Sequence, residues 1–153
     1  MSNWISLLPF LAVVGATAVS GAIFMPGSWY ASLRKPSWTP PDWLFGPAWT
    51  VLYIMIAVAG WLVWRADGFG IALAVWGANV IFNAGWSWLM FGRHRIGLAF
   101  LDAIAMLITI VVFVAVAKES SPGAALLFIP YLGWVVFAAA LNFAILQLNG
   151  SDA

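Results

Sequence analysis

The chain has 153 residues, of which 65% are hydrophobic, 16% aromatic and only 7% charged, and its formal net charge is +1. Soluble domains carry roughly 25% charged residues, so this composition predicts an integral membrane protein. The near-neutral charge excludes the basic surface that nucleic-acid binding needs. The absence of cysteine excludes disulfides, thiolate nucleophiles and cysteine metal sites.

Five apolar stretches predict an all-α integral membrane protein, a five-transmembrane-helix bundle forming a single domain over residues 1–153. The spans are expected at residues 4–24, 45–64, 70–90, 96–117 and 124–148. About 20 apolar residues suffice to cross a hydrocarbon core of about 30 Å. The first stretch lacks the basic n-region of a signal peptide, so it is not expected to be cleaved from the protein. Pro130 is expected to kink the last span.

Residues 25–42 form a long loop between helices 1 and 2 that ends in the sequence KPSWTPP. Proline lacks the amide donor and biases the preceding residue away from the helical region, so a stiff, extended segment is predicted. A short helical turn is expected near Ser28, a suitable capping residue. Long loops in compact folds tend to be functional, which makes this segment a candidate lid.

The basic residues predict the orientation in the membrane. The side with the long loop and the C-terminus carries Arg34, Lys35, Arg93 and Arg95, and the other side carries Arg65 and Lys118. By the positive-inside rule, a multi-pass protein with a cytoplasmic C-terminus is expected. The sequence does not distinguish an inner from an outer membrane.

Helical spacing places polar and aromatic residues on shared faces of the spans. These faces carry Thr17, Ser20 and Phe24 on the first span, Trp49 and Tyr53 on the second, Asn79, Asn83 and Trp86 on the third, and Trp134, Ala138, Leu141 and Asn142 on the fifth. Unpaired amides are costly in hydrocarbon, so these faces are expected to point inward. They suggest a cavity for a flat, mostly apolar molecule, although interhelical packing explains the same stripes.

Other residues have less specific interpretations. Small residues at four-residue spacing, Gly70, Ala74 and Ala78, allow a second helix to approach closely, within the bundle or in a dimer. Trp4, Trp43, Trp61, Trp64 and Trp88 lie near span ends and are expected to be interfacial anchors.

The titratable residues do not assemble a conventional active site. Asp102, within the fourth span, is either a functional carboxylate or a partner of Arg93 or Arg95. His94 is expected to be a solvated loop residue, and no metal site is predicted. Without a nucleophile, base and orienting group, hydrolase and acyl-transfer chemistry are excluded, and no catalytic residue is assigned.

Four motifs in order along the chain resemble the tryptophan-rich sensory protein and translocator protein (peripheral benzodiazepine receptor) family, particularly its bacterial members. They are KPSWTPP at residues 35–41, GPAWTVLY at 46–53, the stretch 83–86 followed by FGR at 91–93, and PYLGW with AALNF within 130–143. The resemblance covers almost the whole chain.

The resemblance implies a five-helix bundle, a homodimer, and a pocket beneath the first loop that binds porphyrins such as protoporphyrin IX and haem, or hydrophobic drug-like molecules. No cofactor is required. Matched residue by residue, the implied ligand-binding residues are Tyr30, Pro40, Trp49, Tyr53, Asn83, Trp86, Trp134, Ala138 and Leu141. Ser20, on the shared face of the first span, completes the predicted set, and the ridge of small residues on the third span matches the family's dimer interface.

The leading hypothesis is therefore a membrane receptor or sensor for porphyrins. One alternative is light-dependent porphyrin breakdown, with Trp49 and Trp134 exchanging electrons with the excited ring. Another is transport of porphyrin or lipid-like molecules, for which the broken helices typical of transporters are not evident. Cholesterol is less favoured, because Phe143 and Gln147 stand where the family's sterol motif needs a tyrosine and then a basic residue.

Overall fold

The computed structural model describes residues 3–150 as a helical bundle. The six α-helices in this range are α1 (Leu8–Ile23), α2 (Ser28–Ser32), α3 (Asp42–Asp67), α4 (Ile71–Ser87), α5 (Ile96–Ala117) and α6 (Pro122–Asn149). A 3-10 turn (Asn3–Leu7) precedes α1, and a π-helical turn (Trp88–Gly92) follows α4. The predicted domain also includes residues 1–2 and 151–153, which lie outside the described residues.

Four helices in the described range are long and apolar enough to cross a membrane. They are Trp4–Ile23, Asp42–Asp67, Ile96–Ala117 and Pro122–Asn149. The protein is therefore an integral, all-helical membrane protein, as predicted. The third predicted span corresponds to α4, whose 17 residues measure about 26 Å at 1.5 Å per residue, together with the π-helical turn.

The helix ends differ from the predicted ones by a few residues. α3 begins at Asp42 rather than residue 45, because extended Pro41 (φ −64°, ψ 148°) precedes it. The Asp42 carboxylate lies in the first turn, where it interacts favourably with the helix dipole. The helix ends at Asp67, and the next residue, Gly68, has a φ of 66° in the region that favours glycine.

The start of the fifth predicted span and the end of the third also differ from the prediction. α6 starts at Pro122, since proline suits the first turn of a helix, and it continues through Pro130 as a single helix. The end of the third predicted span is π-helical rather than α-helical. The fourth predicted span coincides with α5.

The core is formed by buried residues of α1, α3, α4, α5 and α6, and aromatic rings of α5 and α6 pack within it. The rings of Phe113 and Phe128 stack at 4.1 Å, and Phe128 meets Tyr131 edge-to-face at 5.2 Å. Trp61 is also buried, and its Nε1 donates to Ser6 Oγ at 2.8 Å. The prediction of an interfacial anchor is therefore wrong for Trp61, which is only 3% exposed.

The segment between α1 and α3 (residues 24–41) lies at the same end of the bundle as the C-terminus of α6. The Asn149 side chain accepts a hydrogen bond from the Arg34 amide at 2.9 Å and donates one to the Arg34 carbonyl at 2.7 Å. Trp38 also packs edge-to-face on Phe137 of α6, with ring centroids 5.7 Å apart. These contacts place the segment over the inner faces of the helices.

Candidate ligand-binding site

A cavity of about 430 Å³ lies within the bundle and reaches the segment that joins α1 to α3. Its walls come from α1, α3, α4, the π-helical turn, α5 and α6, and they are mostly apolar and aromatic. Small-molecule sites typically have volumes of about 300–1,000 Å³ and similar walls. The cavity is therefore the candidate binding site.

Seven of the ten predicted ligand-binding residues line this cavity. They are Tyr30, Trp49, Tyr53, Asn83, Trp86, Ala138 and Leu141. The helices thus bring together the faces that helical spacing grouped. Contact between these residues and a ligand stays a prediction.

The other three predicted residues, Ser20, Pro40 and Trp134, lie outside the lining. Ser20 Oγ donates to the carbonyl of Ala84 at 3.0 Å and so ties α1 to α4. Pro40 stands in the extended stretch before α3. Trp134 lies behind Trp49, edge-to-face at 6.3 Å, which makes it a support for the wall.

Several lining residues were not predicted as ligand contacts. They include Phe24, Met25, Asp42, Phe45, Met90, Phe91, Met106, Asn142 and Ile145. Ile145 lies four residues after Leu141, so helical spacing was a signal for it. Met90 and Phe91 had no such signal, because a π-helical turn rotates side chains away from the 3.6-residue period.

Aromatic rings build two sides of the cavity. Trp49 and Tyr53, one turn apart on α3, stack at 5.5 Å with an interplanar angle of 27°. On the opposite side, Phe91 meets Tyr30 at 5.5 Å and Trp86 at 5.4 Å, both edge-to-face. Such rings present flat, polarisable surfaces that suit an aromatic ligand.

A directional hydrogen-bond chain fixes the orientation of Asn83. The carbonyl of Met106 accepts from Thr109 Oγ1 at 2.7 Å and from Asn79 Nδ2 at 3.4 Å. Asn79 Oδ1 then accepts from the Tyr131 hydroxyl at 3.0 Å, and Tyr131 in turn accepts from Asn83 Nδ2 at 2.7 Å. Because a backbone carbonyl only accepts, these directions are fixed. The Asn83 oxygen is left as an acceptor in the cavity wall.

A second set of hydrogen bonds orients Trp86. Its Nε1 donates to Asn142 Oδ1 at 2.9 Å, and Asn142 Nδ2 donates to the carbonyl of Ile96 at 3.1 Å. The indole donor is thereby satisfied by α6, and the ring faces the cavity. Trp86 therefore offers an apolar surface rather than a hydrogen bond.

Tyr30 supplies a neutral phenol at the loop end of the cavity. Burial raises the pKa of Tyr30 to about 12, and the negative charge of Asp42 adds to this shift. The ammonium group of Lys35 donates to the Tyr30 carbonyl at 2.7 Å and lies 4.7 Å from the ring centroid. The hydroxyl therefore remains protonated at physiological pH and can donate a hydrogen bond.

His94 is an exposed loop residue, as predicted, and Asp102 on α5 is half-buried. Asp102 Oδ2 is buried and, among the described residues, has no hydrogen-bond partner. Its Oδ1 atom lies 3.3 Å from where a Cβ on Gly85 would be, so the carboxylate faces α4. The exposed ring of His94 stacks on Trp29 at 4.1 Å and 4°.

The small residues predicted at a dimer interface lie away from the cavity. Ala74 is exposed, and Gly70 and Ala78 are half-buried. Ile81, on the same side of α4, is 71% exposed. This outer face of α4 is available to membrane lipid or to a second chain.

Comparison with known proteins identifies the family. The profile of the TspO/MBR family matches residues 7–148, which include all six α-helices except the last residue of α6. The chain belongs to the TspO/MBR family.

Members from distant organisms resemble this TspO/MBR protein over nearly their full lengths. The tryptophan-rich sensory protein of Cereibacter sphaeroides is 38% identical over 96% of this chain and 93% of its own. The tryptophan-rich protein TspO of Chlorobaculum tepidum is 42% identical over 88% of this chain and 89% of its own. The human translocator protein is 30% identical over 95% of this chain and 91% of its own.

Proposed function

We propose that this TspO/MBR protein is a membrane receptor or sensor that binds porphyrins, such as protoporphyrin IX and haem, in the cavity. Hydrophobic drug-like molecules would occupy the same space. The observation that carries the proposal is the mostly apolar and aromatic cavity of about 430 Å³ within the bundle. The name of the Cereibacter sphaeroides relative, a tryptophan-rich sensory protein, supports the sensing role.

The geometry supports a division of labour among the lining residues. The stacked pair Trp49 and Tyr53 offers a flat face against which a macrocycle can lie. Asn83 offers the acceptor oxygen fixed by the hydrogen-bond chain, and Tyr30 offers a donor hydroxyl. Trp134 holds Trp49 from behind rather than contacting the ligand.

Titration of the purified protein with protoporphyrin IX tests this proposal. The Kd is read from quenching of tryptophan fluorescence, in the dark so that light-dependent breakdown cannot imitate a loss of binding. Trp49→Ala is expected to raise the Kd at least about tenfold, which corresponds to about 1.4 kcal/mol. Trp43→Ala is the matched control, because Trp43 lies on the same helix and is 71% exposed.

Unchanged affinity in Trp49→Ala would place porphyrin elsewhere and remove the basis of the proposal. Trp134→Ala is expected to have a smaller effect than Trp49→Ala, since its ring acts through Trp49. A larger effect of Trp134→Ala would contradict the assignment of the cavity wall.

We also propose the arrangement in the membrane. α4 and the π-helical turn together cross the bilayer as a fifth span, beside the four helices that are long enough alone. Arg34, which is hydrogen-bonded to the end of α6, then lies on the cytoplasmic side with the C-terminus. A reporter fused after Asn149 is expected to show cytoplasmic activity, and a periplasmic signal would refute the orientation.

Self-association is a further part of the proposal. The exposed face of α4 around Ala74 is apolar, and its small side chains let backbones approach closely. We propose a homodimer that uses this face and leaves each cavity within one chain.

A further inference from the structure

We infer that the cavity exchanges its contents through an aperture between residues 24–27, here called the strap, and the π-helical turn (Trp88–Gly92). The ring of Phe24 seated on Gly92 is the latch of this aperture. The identity of the ligand rests on the proposed function, whereas the latch is a property of the chain itself.

The latch depends on the fact that residue 92 is glycine and has no Cβ atom. A Cβ atom at this position would lie 2.7 Å from Phe24 Cδ1 and 2.9 Å from Cε1. Real Cβ atoms do not make contacts this short, so the ring occupies the space that glycine leaves open. Trp88 Cδ1, at 3.3 Å from the same point, borders this space. The π-helical turn thus forms a seat for one aromatic ring.

The strap separates the cavity from an outer groove of about 210 Å³. The groove is lined by Met25, Gly27, Ser28, Trp29, Phe91 and His94. Met25 and Phe91 also line the cavity, so these two side chains stand between the two spaces. Met25 follows Phe24 directly in the chain. Movement of Phe24 away from Gly92 would therefore shift Met25 and join the groove to the cavity.

The part of the loop that follows the strap is held by polar contacts. Asn149 exchanges two hydrogen bonds with the backbone of Arg34. Lys35 Nζ donates to the carbonyls of Tyr30 at 2.7 Å and Leu33 at 3.1 Å, at the C-terminal end of α2. The Lys35 bonds fold the loop against the end of α2, and the Asn149 bonds tie the chain at Arg34 to α6.

The first turn of α2 is held by a stacking contact. Trp29 lies flat on His94, whose φ of 54° directs the turn between the π-helical segment and α5. Stacked aromatic pairs are stabilised beyond the burial of their surface area. The ends of the strap have backbone hydrogen bonds, from the Phe24 amide to the Ser20 carbonyl at 2.9 Å and from the Ala31 amide to the Gly27 carbonyl at 3.0 Å. Opening therefore requires movement of the Phe24 ring and of residues 25–26. Closure of the strap is decided by the apolar contact of Phe24 with Gly92.

Chemical labelling inside the cavity tests the latch without any ligand. Because the chain has no cysteine, Ser87→Cys places a unique thiol in the cavity lining. The labelling rate with a charged, water-soluble methanethiosulfonate reagent is measured in the Ser87→Cys protein, reconstituted in vesicles. Phe24→Ala and Gly92→Ala are each expected to raise this rate about tenfold, since loss of about 1.4 kcal/mol from the closed state gives that factor.

The double variant decides whether the two residues act together. If Phe24 must sit on Gly92, Gly92→Ala has no further effect once Phe24 is alanine, and the double variant labels no faster than the faster single variant. If the increases in labelling rate of the two single variants multiply in the double variant, the latch is refuted. It is also refuted if the single variants label at the rate of the parent. If Gly92→Ala does not fold, an unchanged rate in Phe24→Ala is sufficient to overturn it.

Two controls accompany this experiment. Gly15→Ala changes glycine to alanine on α1 where a Cβ meets nothing within 4 Å, and it is expected to leave the labelling rate unchanged. Ser37→Cys places the thiol at an exposed position of the loop, where neither latch variant is expected to alter labelling. If the latch variants also raise the labelling rate of the Ser37→Cys thiol, the whole loop has become more accessible, and the latch is refuted.

Protoporphyrin IX kinetics in the dark separate the latch from the proposed function. In the Gly92→Ala variant, whose altered residue lies outside the cavity lining, the association and dissociation rates are expected to rise together, with the Kd changed by less than about threefold, because a gate alters rates more than equilibrium. If the parent protein does not bind protoporphyrin IX, the proposed ligand is wrong, and the labelling result still decides the latch.

Discussion

The hydroxyl of Tyr131 on α6 donates a hydrogen bond to Asn79 on α4 at 3.0 Å, between two side chains that have no exposed surface. The same hydroxyl accepts from Asn83 at 2.7 Å. One oxygen atom therefore satisfies two buried amides and connects the helix–helix core to the cavity wall.

Tyr131→Phe is expected to destabilise the protein by about 1–3 kcal/mol, because it leaves buried amide groups without partners. Thermal unfolding in mild detergent measures this change. Tyr53→Phe is the control, since the Tyr53 side chain borders the cavity and not this hydrogen-bond chain. Equal stability of the two variants would show that the chain of hydrogen bonds contributes nothing to folding.

Ala138→Leu is expected to weaken protoporphyrin IX binding at least about tenfold, because a larger side chain reduces a cavity that holds about 430 Å³. Fluorescence titration in the dark gives the Kd. Ala140→Leu adds the same atoms to an exposed position on α6 and is expected to leave affinity unchanged. If both variants bind like the parent, the ligand does not occupy this part of the cavity.

Ala78→Leu is expected to weaken the proposed homodimer, because leucine separates helix backbones that pack through small residues. The oligomer size is measured by light scattering in mild detergent at several protein concentrations. Ala115→Leu, at an exposed position on α5, is the control for added bulk on the membrane surface. A dimer of unaltered stability in Ala78→Leu would exclude this face of α4.

Gly60→Ala is expected to destabilise the bundle by about 1–3 kcal/mol through overpacking. A Cβ at Gly60 would lie 2.6 Å from Nε1 of Trp76, and this nitrogen already donates to the carbonyl of Ile56 at 2.8 Å. Neither the Trp76 ring nor α3 can move aside without breaking the hydrogen bond between Trp76 and Ile56. Thermal unfolding is the measurement.

Gly133→Ala serves as the comparison for Gly60→Ala, because a Cβ at Gly133 in α6 meets nothing within 4 Å. Alanine is favoured over glycine inside a helix by roughly 0.5–1 kcal/mol, so this variant is expected to unfold at the same or a higher temperature. Similar losses in both variants would show that contact with Trp76 is not the cause.

Helix positions were predictable because the membrane imposes them. Apolar stretches of about 20 residues have few alternatives to a helix in hydrocarbon, and the predicted span 96–117 coincides with α5. The ends of the other helices depended on local caps, such as extended Pro41 before α3, which shifted that start by three residues. The α4 end was not predictable, because no simple sequence signal marks a π-helical turn.

The inward faces were also predictable, because a buried amide needs a partner. Asn83 and Trp86 on α4, and Trp49 and Tyr53 on α3, share faces by spacing alone and line the cavity. The same reasoning placed Trp134 with them, and the structure puts it behind Trp49. Spacing gives the direction of a side chain from its own helix, but the neighbouring helix decides whether that direction meets space or another ring.

By itself, the sequence determined an all-helical membrane protein, the approximate spans and several of the residues around the cavity, since hydrophobicity and helical period act within each helix. Only the tertiary structure decided the volume of the cavity, the direction of the hydrogen bonds through Tyr131, and the seat of Phe24 on Gly92. These features arise where two or three helices meet. Their geometry depends on the rotation and separation of whole helices, which no single stretch of sequence encodes.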